Sequence, residues 1–358
     1  MTNLIHLGAG PSFIPEEVKK AVINEIEDFS NSRMSALEIS HRSKEFSNVI
    51  LESEEGLREV LGIPSNFFVI FIQGGATFQN TCIPMNFSDD DDKLGYVVSG
   101  AWSNKTHLDG SKLRQTEVLF NGESTNYTSV PLNTNLDKES SCRLIFLTSN
   151  ETINGVQIKD YNNIGNDLVI DMSSDIASKK VSWENITCAY AGAQKNLGTA
   201  GVTIVIGKKD KLVNNKLASY LDFNNHINES SLYNTPPVVP IIVLNQMIKW
   251  IKMKGGVEYF QKQSIKKANT LYEVLDTYKD SIILPVEEEA RSFSNVVFNF
   301  KNQDILERFL IGAKESNFHG IAGHRSVGGV RVSIYNSIDL VTVNKLVNFI
   351  NNFMKNLS

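Results

Sequence analysis

Among the residues able to do chemistry, Lys195 has the most telling surroundings. It sits in Tyr190-Ala191-Gly192-Ala193-Gln194-Lys195-Asn196, right after the apolar-rich run Ile186-Thr187-Cys188-Ala189. An ammonium at a strand end, among small residues and few charges, is partly stripped of water. Its pKa falls and the neutral amine becomes a usable nucleophile. Such a lysine suits a carbonyl cofactor held as a Schiff base. Two further points fall just past apolar runs. Gln73-Gly74-Gly75-Ala76-Thr77 follows the run 67–72. Backbone N–H groups opening a helix there, with the Thr77 hydroxyl, make either a phosphate cradle or simply a tight strand-to-helix turn. Asp171 closes Leu168-Val169-Ile170. A carboxylate ending a buried strand needs a partner, which is either a protonated pyridine nitrogen or the N–H groups of a helix that it caps.

Thr77, Asp171 and Lys195, in this order and each past a strand, point together to a pyridoxal-phosphate enzyme. Trp102 follows another strand-like run, where an indole either stacks on the pyridine ring or fills the core. Thr152, within Ser149-Asn150-Glu151-Thr152-Ile153-Asn154-Gly155, offers a hydroxyl to the cofactor's phenolic oxygen or belongs to a polar turn closing at Asn154-Gly155. Two basic pairs remain, His41-Arg42 and His324-Arg325, with Arg331 close behind the second. Arginine forks bind carboxylate and phosphate bidentately, and histidine adds a donor. Either pair alone reads as a surface ion-pair group. Two of them, flanked by glycine or serine in a chain of net negative charge, fit a doubly anionic small substrate.

The elements that must position these residues alternate. Helical apolar spacing covers 16–29, behind Pro15, and 47–61. Short apolar runs follow at 67–72, 94–98, 144–147, 168–171 and 202–206, separated by helical stretches. Continuous apolar strands of this kind belong in a mostly parallel sheet covered by helices on both faces. Such sheets hold their ligands at the C-terminal strand ends. After Gly255-Gly256 the texture becomes a long helix over 257–278, a strand over 295–300, a helix over 303–315, a strand over 330–334 and a last helix over 338–357. The expectation is an α/β chain with a large cofactor-binding domain over 1–256 and a small C-terminal α+β domain over 257–358. The polar opening of 121–136 reads as a surface loop, and Asp89 to Asp92 as a solvated acidic turn without calcium-loop spacing.

Composition narrows the function classes. The 358 residues carry 35 Lys+Arg against 40 Asp+Glu, a net charge of −5, which argues against a nucleic-acid or polybasic membrane surface. Cys82, Cys142 and Cys188 are widely spaced, with neither CxxC nor metal-ligand spacing, so reduced thiols and no metal are expected. The first six residues have neither a basic nor an apolar leader region. The most apolar stretch, 238–251, is interrupted by Asn245, Gln246 and Lys249 and reads as a buried helix. A soluble, cytoplasmic protein is expected.

Longer motifs resemble the phosphoserine aminotransferase family of class V, fold-type I pyridoxal-phosphate enzymes. They run nearly end to end: Gly8-Ala9-Gly10-Pro11 with Pro15-Glu16-Glu17-Val18, Glu38-Ile39-Ser40-His41-Arg42-Ser43-Lys44-Glu45-Phe46, Asn150 to Gly155, Tyr190 to Asn196, Tyr233-Asn234-Thr235-Pro236-Pro237 and Gly323-His324-Arg325-Ser326-Val327-Gly328-Gly329. The resemblance implies that Lys195 carries the cofactor and shuttles the proton. It implies cofactor contacts from Ala76, Thr77, Trp102, Thr152, Asp171 and Gln194, with Asn234 and Thr235 reaching the cofactor phosphate of a neighbouring subunit in a homodimer. Arg42 and Arg331 would anchor substrate anions, and His41, His324 and Arg325 would grip its phosphate. The implied reaction is reversible transamination between O-phospho-L-serine with 2-oxoglutarate and 3-phosphooxypyruvate with L-glutamate, in serine biosynthesis. Some members also act on a phosphohydroxythreonine in vitamin B6 synthesis, and the sequence does not separate the two roles. One departure stands out. Some members have Gly-Arg where this chain has Ala76-Thr77, so a cationic phosphate contact is missing and changed anchoring is expected.

Other class V activities compete. An alanine/serine–glyoxylate aminotransferase or a cysteine desulfurase shares the Asp-to-Lys core but has no evident use for both His-Arg pairs. A desulfurase also needs a mobile catalytic cysteine. A cofactor-binding protein without turnover would not need Lys195, Asp171, Arg42 and Arg331 together.

Overall fold

The computed structural model describes residues 4–132, 136 and 141–357. Residues 133–135, inside the loop expected over 121–136, and the first three residues of the expected leaderless start lie outside them. A short strand β1 (Ile5–His6) leads to α1 (Glu16–Glu27), which begins at Pro15. Helix α2 (Lys44–Leu61) is capped by the Ser43 side chain, which accepts from the Phe46 N–H, and stops at left-handed Gly62. Its buried residues Phe46, Val49, Ile50, Ser53, Leu57, Val60 and Leu61 recur at helical spacing and face the core.

From β2 (Phe67–Ile72) the chain alternates: α3 (Gly75–Phe87), β3 (Lys93–Val98), α4 (Ala101–Gly110), β4 (Gln115–Asn121) and β5 (Leu144–Thr148). The hairpin β6 (Asn150–Glu151) with β7 (Val156–Gln157) precedes β8 (Leu168–Asp171), β9 (Ile186–Gly192) and β10 (Thr203–Lys208). Seven strands form the main sheet in the order β2-β10-β9-β8-β5-β3-β4. Only β10 runs against its neighbours, pairing antiparallel with β2 and β9; the other pairs are parallel. Every residue of β2, β5 and β9 is buried, as continuous apolar runs covered on both faces require. Strand β4 has no fully buried residue and forms the sheet edge, which is why the apolar pattern does not announce it.

A short helix α5 (Phe223–Asn228) leads to α6 (Val238–Met253), which buries nine residues and packs against α1 and α2. Among the described residues no helix is long and apolar enough to cross a membrane. Helix α7 (Gly256–Thr277) opens the last third, followed by β11 (Ile282–Ile283), β12 (Asn295–Phe300), α8 (Gln303–Glu315), β13 (Phe318–His319), β14 (Val330–Ser333) and α9 (Leu340–Lys355). These elements share a core of their own around Leu271, Leu275, Phe298, Phe309, Val332 and Ile350. The chain start joins that core: β1 pairs with β13, and Leu7 is buried in it. Asp89 to Asp92 form a turn in which Asp89, Asp90 and Asp91 are exposed.

Candidate active site

Because β2, β3, β5, β8 and β9 run the same way, their C-terminal ends meet at one edge of the sheet, where such folds place ligands. A cavity of about 170 Å³ opens there, lined by Gly75, Ala76 and Thr77 after β2, Trp102 after β3, Thr148 at the end of β5, Asn150 at the start of β6, Asp171, Ser173 and Ser174 at the end of β8, and Gln194 and Lys195 after β9. Asn80 and Thr106 complete it.

Lys195 projects its amine to Thr152, whose Oγ1 accepts its hydrogen bond, and the Nζ lies 5.9 Å from the centre of the Trp102 ring. Burial brings its pKa down to about 8; Asp171 and Glu151 pull it back up, and Arg331 pushes it further down. An appreciable neutral fraction at neutral pH follows. Asp171 accepts the Ser173 N–H at 2.8 Å, and burial pushes its carboxyl above the ordinary range. Asp171 thus caps the following turn while it also lines the cavity. Trp102 is 37% exposed, which rules out the core role.

The N-terminus of α3 is built open. Gly74 and Gly75 have φ of 99° and 69°, the left-handed region that favours glycine. No side chain caps the helix, and no atom lies within 4 Å of where a Cβ on Gly75 would stand. The free N–H groups of this first turn and the Thr77 hydroxyl suit a phosphate. A planar ring between Trp102 and Asp171, a carbonyl at Lys195 and a phosphate at Ala76-Thr77 together fit the residues present.

Arg331, on β14, donates to the Thr152 carbonyl at 3.4 Å, while its buried Nε has no partner among the described residues. It is thereby tied to Thr152, the acceptor of the Lys195 amine, with donor capacity to spare, though neither Thr152 nor Arg331 lines the cavity. Asn234 and Thr235 do not line the cavity. They lie against Gln73, just before the glycine turn: Asn234 Nδ2 donates to Gln73 Oε1 at 3.2 Å, and Gln73 Nε2 donates to the Thr235 carbonyl at 3.2 Å. His41 is half-buried and Arg42 exposed, both outside the cavity. His324 pairs with the Ser326 hydroxyl at 2.7 Å; burial, then Arg331 and Arg325, hold its pKa below the usual imidazole value. Arg325 is exposed.

Glu151 escaped the residue reading. It is fully buried and accepts from the N–H groups of Trp102 at 2.9 Å and Ser103 at 2.8 Å. The chain start also reaches the site, where Ser12 N–H donates to the Gln194 carbonyl at 2.9 Å and its hydroxyl to the Lys195 carbonyl. No cysteine lines the cavity, and burial pushes the Cys82 thiol up to about 12.

With this geometry established, comparison with known proteins is direct. The aminotransferase class-V family matches residues 5–346. The phosphoserine aminotransferase of Halalkalibacterium halodurans is 38% identical over 356 residues, covering 99% of each chain, and that of Bacillus subtilis is 37% identical over 357 residues, again 99% of each. The crystallised phosphoserine aminotransferase from Bacillus circulans subsp. alkalophilus superimposes with a TM-score of 0.95 at 34% identity, over the whole of both chains. A pyridoxal-phosphate-bound phosphoserine aminotransferase from Trichomonas vaginalis reaches 0.88 at 29% identity, covering 98% of this chain and all of that one. The family match spans residues 5–346 and the relatives match along nearly the whole chain: the chain belongs to the class-V aminotransferases.

Proposed function

We propose that this chain is a phosphoserine aminotransferase that uses pyridoxal 5′-phosphate. The observation that carries the reading is Lys195, its pKa near 8, which lines the cavity with Trp102 and Asp171 and donates to Thr152. The near full-length likeness to phosphoserine aminotransferases supports the substrate class. Bound there, pyridoxal phosphate supplies a carbonyl for amine exchange and a ring that takes up an electron pair.

The chain's own residues supply the rest. Ala76 and Thr77 would hold the phosphate at the α3 start, Gln194 and Trp102 would contact the ring, and Asp171 would keep its nitrogen protonated. Lys195 would hold the cofactor's carbonyl carbon and would move the proton at the substrate Cα. Thr152 orients that amine. Arg331 receives the substrate α-carboxylate. His41, Arg42, His324 and Arg325 receive the second anionic group, and Asn234 and Thr235 the phosphate of the neighbouring cofactor. Those six lie outside the single-chain cavity, which supports a homodimer with shared sites. A cytoplasmic enzyme of serine biosynthesis, with a large unit over 1–256 and a small one over 257–358, completes the reading.

The test is a half-reaction. Phosphoserine added to the cofactor-loaded protein should convert the cofactor to its amine form, read by absorbance, and serine at the same concentration should do so far more slowly. Equal rates would refute the phosphate grip and leave a broader class-V aminotransferase.

A further inference from the structure

Glu151 is a carboxylate buried from solvent, with no role in the chemistry above, yet it is the residue next to Thr152. Burying a carboxylate is costly unless its oxygens are hydrogen-bonded. Here both are: Oε2 accepts from Trp102 N–H and Oε1 from Ser103 N–H, in the first turn of α4. Asn154, from the same loop, accepts the Ala101 N–H at 3.1 Å. Three of the orphan N–H groups of this helix start are therefore met by one loop about 50 residues away. Gly100 confirms how close the fit is. Its backbone is extended, so no turn requires glycine, but a Cβ there would stand 2.4 Å from the Glu151 carboxyl carbon.

We propose that Glu151 is a positioning residue: by clamping the first turn of α4 it fixes the Trp102 ring, while its neighbour Thr152 fixes the Lys195 amine, so that one dipeptide sets the distance between ring face and lysine. This rests on the assignment of the cavity to pyridoxal phosphate.

The test has two readouts. In the cofactor-free protein, Glu151→Ala should speed hydrogen exchange of the Trp102 and Ser103 amides by about tenfold, the scale of a lost cap, and leave the Ala76 and Thr77 amides unchanged. Equilibrium affinity for pyridoxal phosphate should fall by about tenfold. Adding Glu151→Ala to Trp102→Ala should weaken affinity no further, because the clamp acts through the ring. Should Glu151→Ala not fold, Glu151→Gln, which retains one acceptor for two N–H groups, and Gly100→Ala, which displaces the carboxylate, should move both readouts the same way. Unchanged exchange at Trp102 and Ser103, or fully additive losses with Trp102→Ala, would overturn the proposal. A wild-type protein that binds no pyridoxal phosphate would sink the assigned function instead, and the exchange comparison would still decide the clamp.

Discussion

Helices α3 and α4 start at the same edge of one sheet, each entered through glycine, and their first turns are used in opposite ways. Every helix start carries unpaired N–H groups and a partial positive charge. At α3 those groups have no side-chain acceptor and border the cavity, so an external anion can take them. At α4 they are consumed by Glu151 and Asn154, and Ser103 Oγ accepts the Gly100 N–H at 3.0 Å. The glycines differ accordingly. Gly74 and Gly75 are needed for backbone shape, Gly100 for room. One helix start is left open beside the cavity, and the other is closed by a loop of the same chain.

The largest effect should come from removing the lysine that lines the cavity beside both starts. Lys195→Ala should lower phosphoserine turnover by on the order of 10³-fold or more, measured as the half-reaction rate. Next, the open start can be closed in the manner of its neighbour. Ala76→Asp would place a carboxylate where the phosphate belongs, lowering cofactor affinity by about 100-fold through like-charge repulsion. The same change should leave the fold intact or slightly firmer, since an acidic residue suits a helix first turn. Equal affinity for the cofactor in that variant would mean that α3 does not hold the phosphate.

Those two variants probe features that the residues alone disclose. Lys195, Asp171 and Thr77 each sit at the end of an apolar run, and a parallel sheet brings such ends together. Glu151 is different. Its targets lie 48 and 49 residues back in the chain, so no local spacing links them, and within Ser149 to Gly155 it passes for part of a polar turn. The same limit hid β4, an edge strand without a buried residue, and the chain start, which joins the second core through the β1–β13 pairing and buried Leu7. The His-Arg pairs suggest anion binding by residue type, yet that they do not line the cavity follows from topology, which side-chain chemistry does not encode. In the helices, by contrast, apolar spacing sufficed: α8 begins and ends where its periodicity does.

Two smaller effects sharpen the contrast. Thr152→Val removes the acceptor of the Lys195 amine and should reduce the half-reaction rate by about tenfold, roughly the value of one hydrogen bond to a charged group. The pH dependence should follow Lys195 itself. Its folded pKa of about 8 lies below the ordinary 10.5, so the amine gains its neutral, nucleophilic form as pH rises through about 8. The rate at which cofactor-free protein captures pyridoxal phosphate should climb over that interval and level off above it; a flat profile from pH 6.5 to 9.5 would contradict the desolvated lysine. The smallest effect is a control at a cap remote from the cavity. Asn302 accepts the Asp304 N–H at 2.8 Å at the start of α8. Asn302→Ala should cost about 1 kcal/mol of stability in a denaturant melt and nothing in turnover.

The central claim is that the desolvated amine at the meeting point of these strand ends is the one that holds the cofactor. Loading the purified protein with pyridoxal phosphate, reducing with borohydride and mapping the peptides by mass tests it directly. The account predicts the reduced cofactor on Lys195 alone, with phosphoserine added before reduction preventing the modification. Cofactor found on another lysine, or on none, would contradict it.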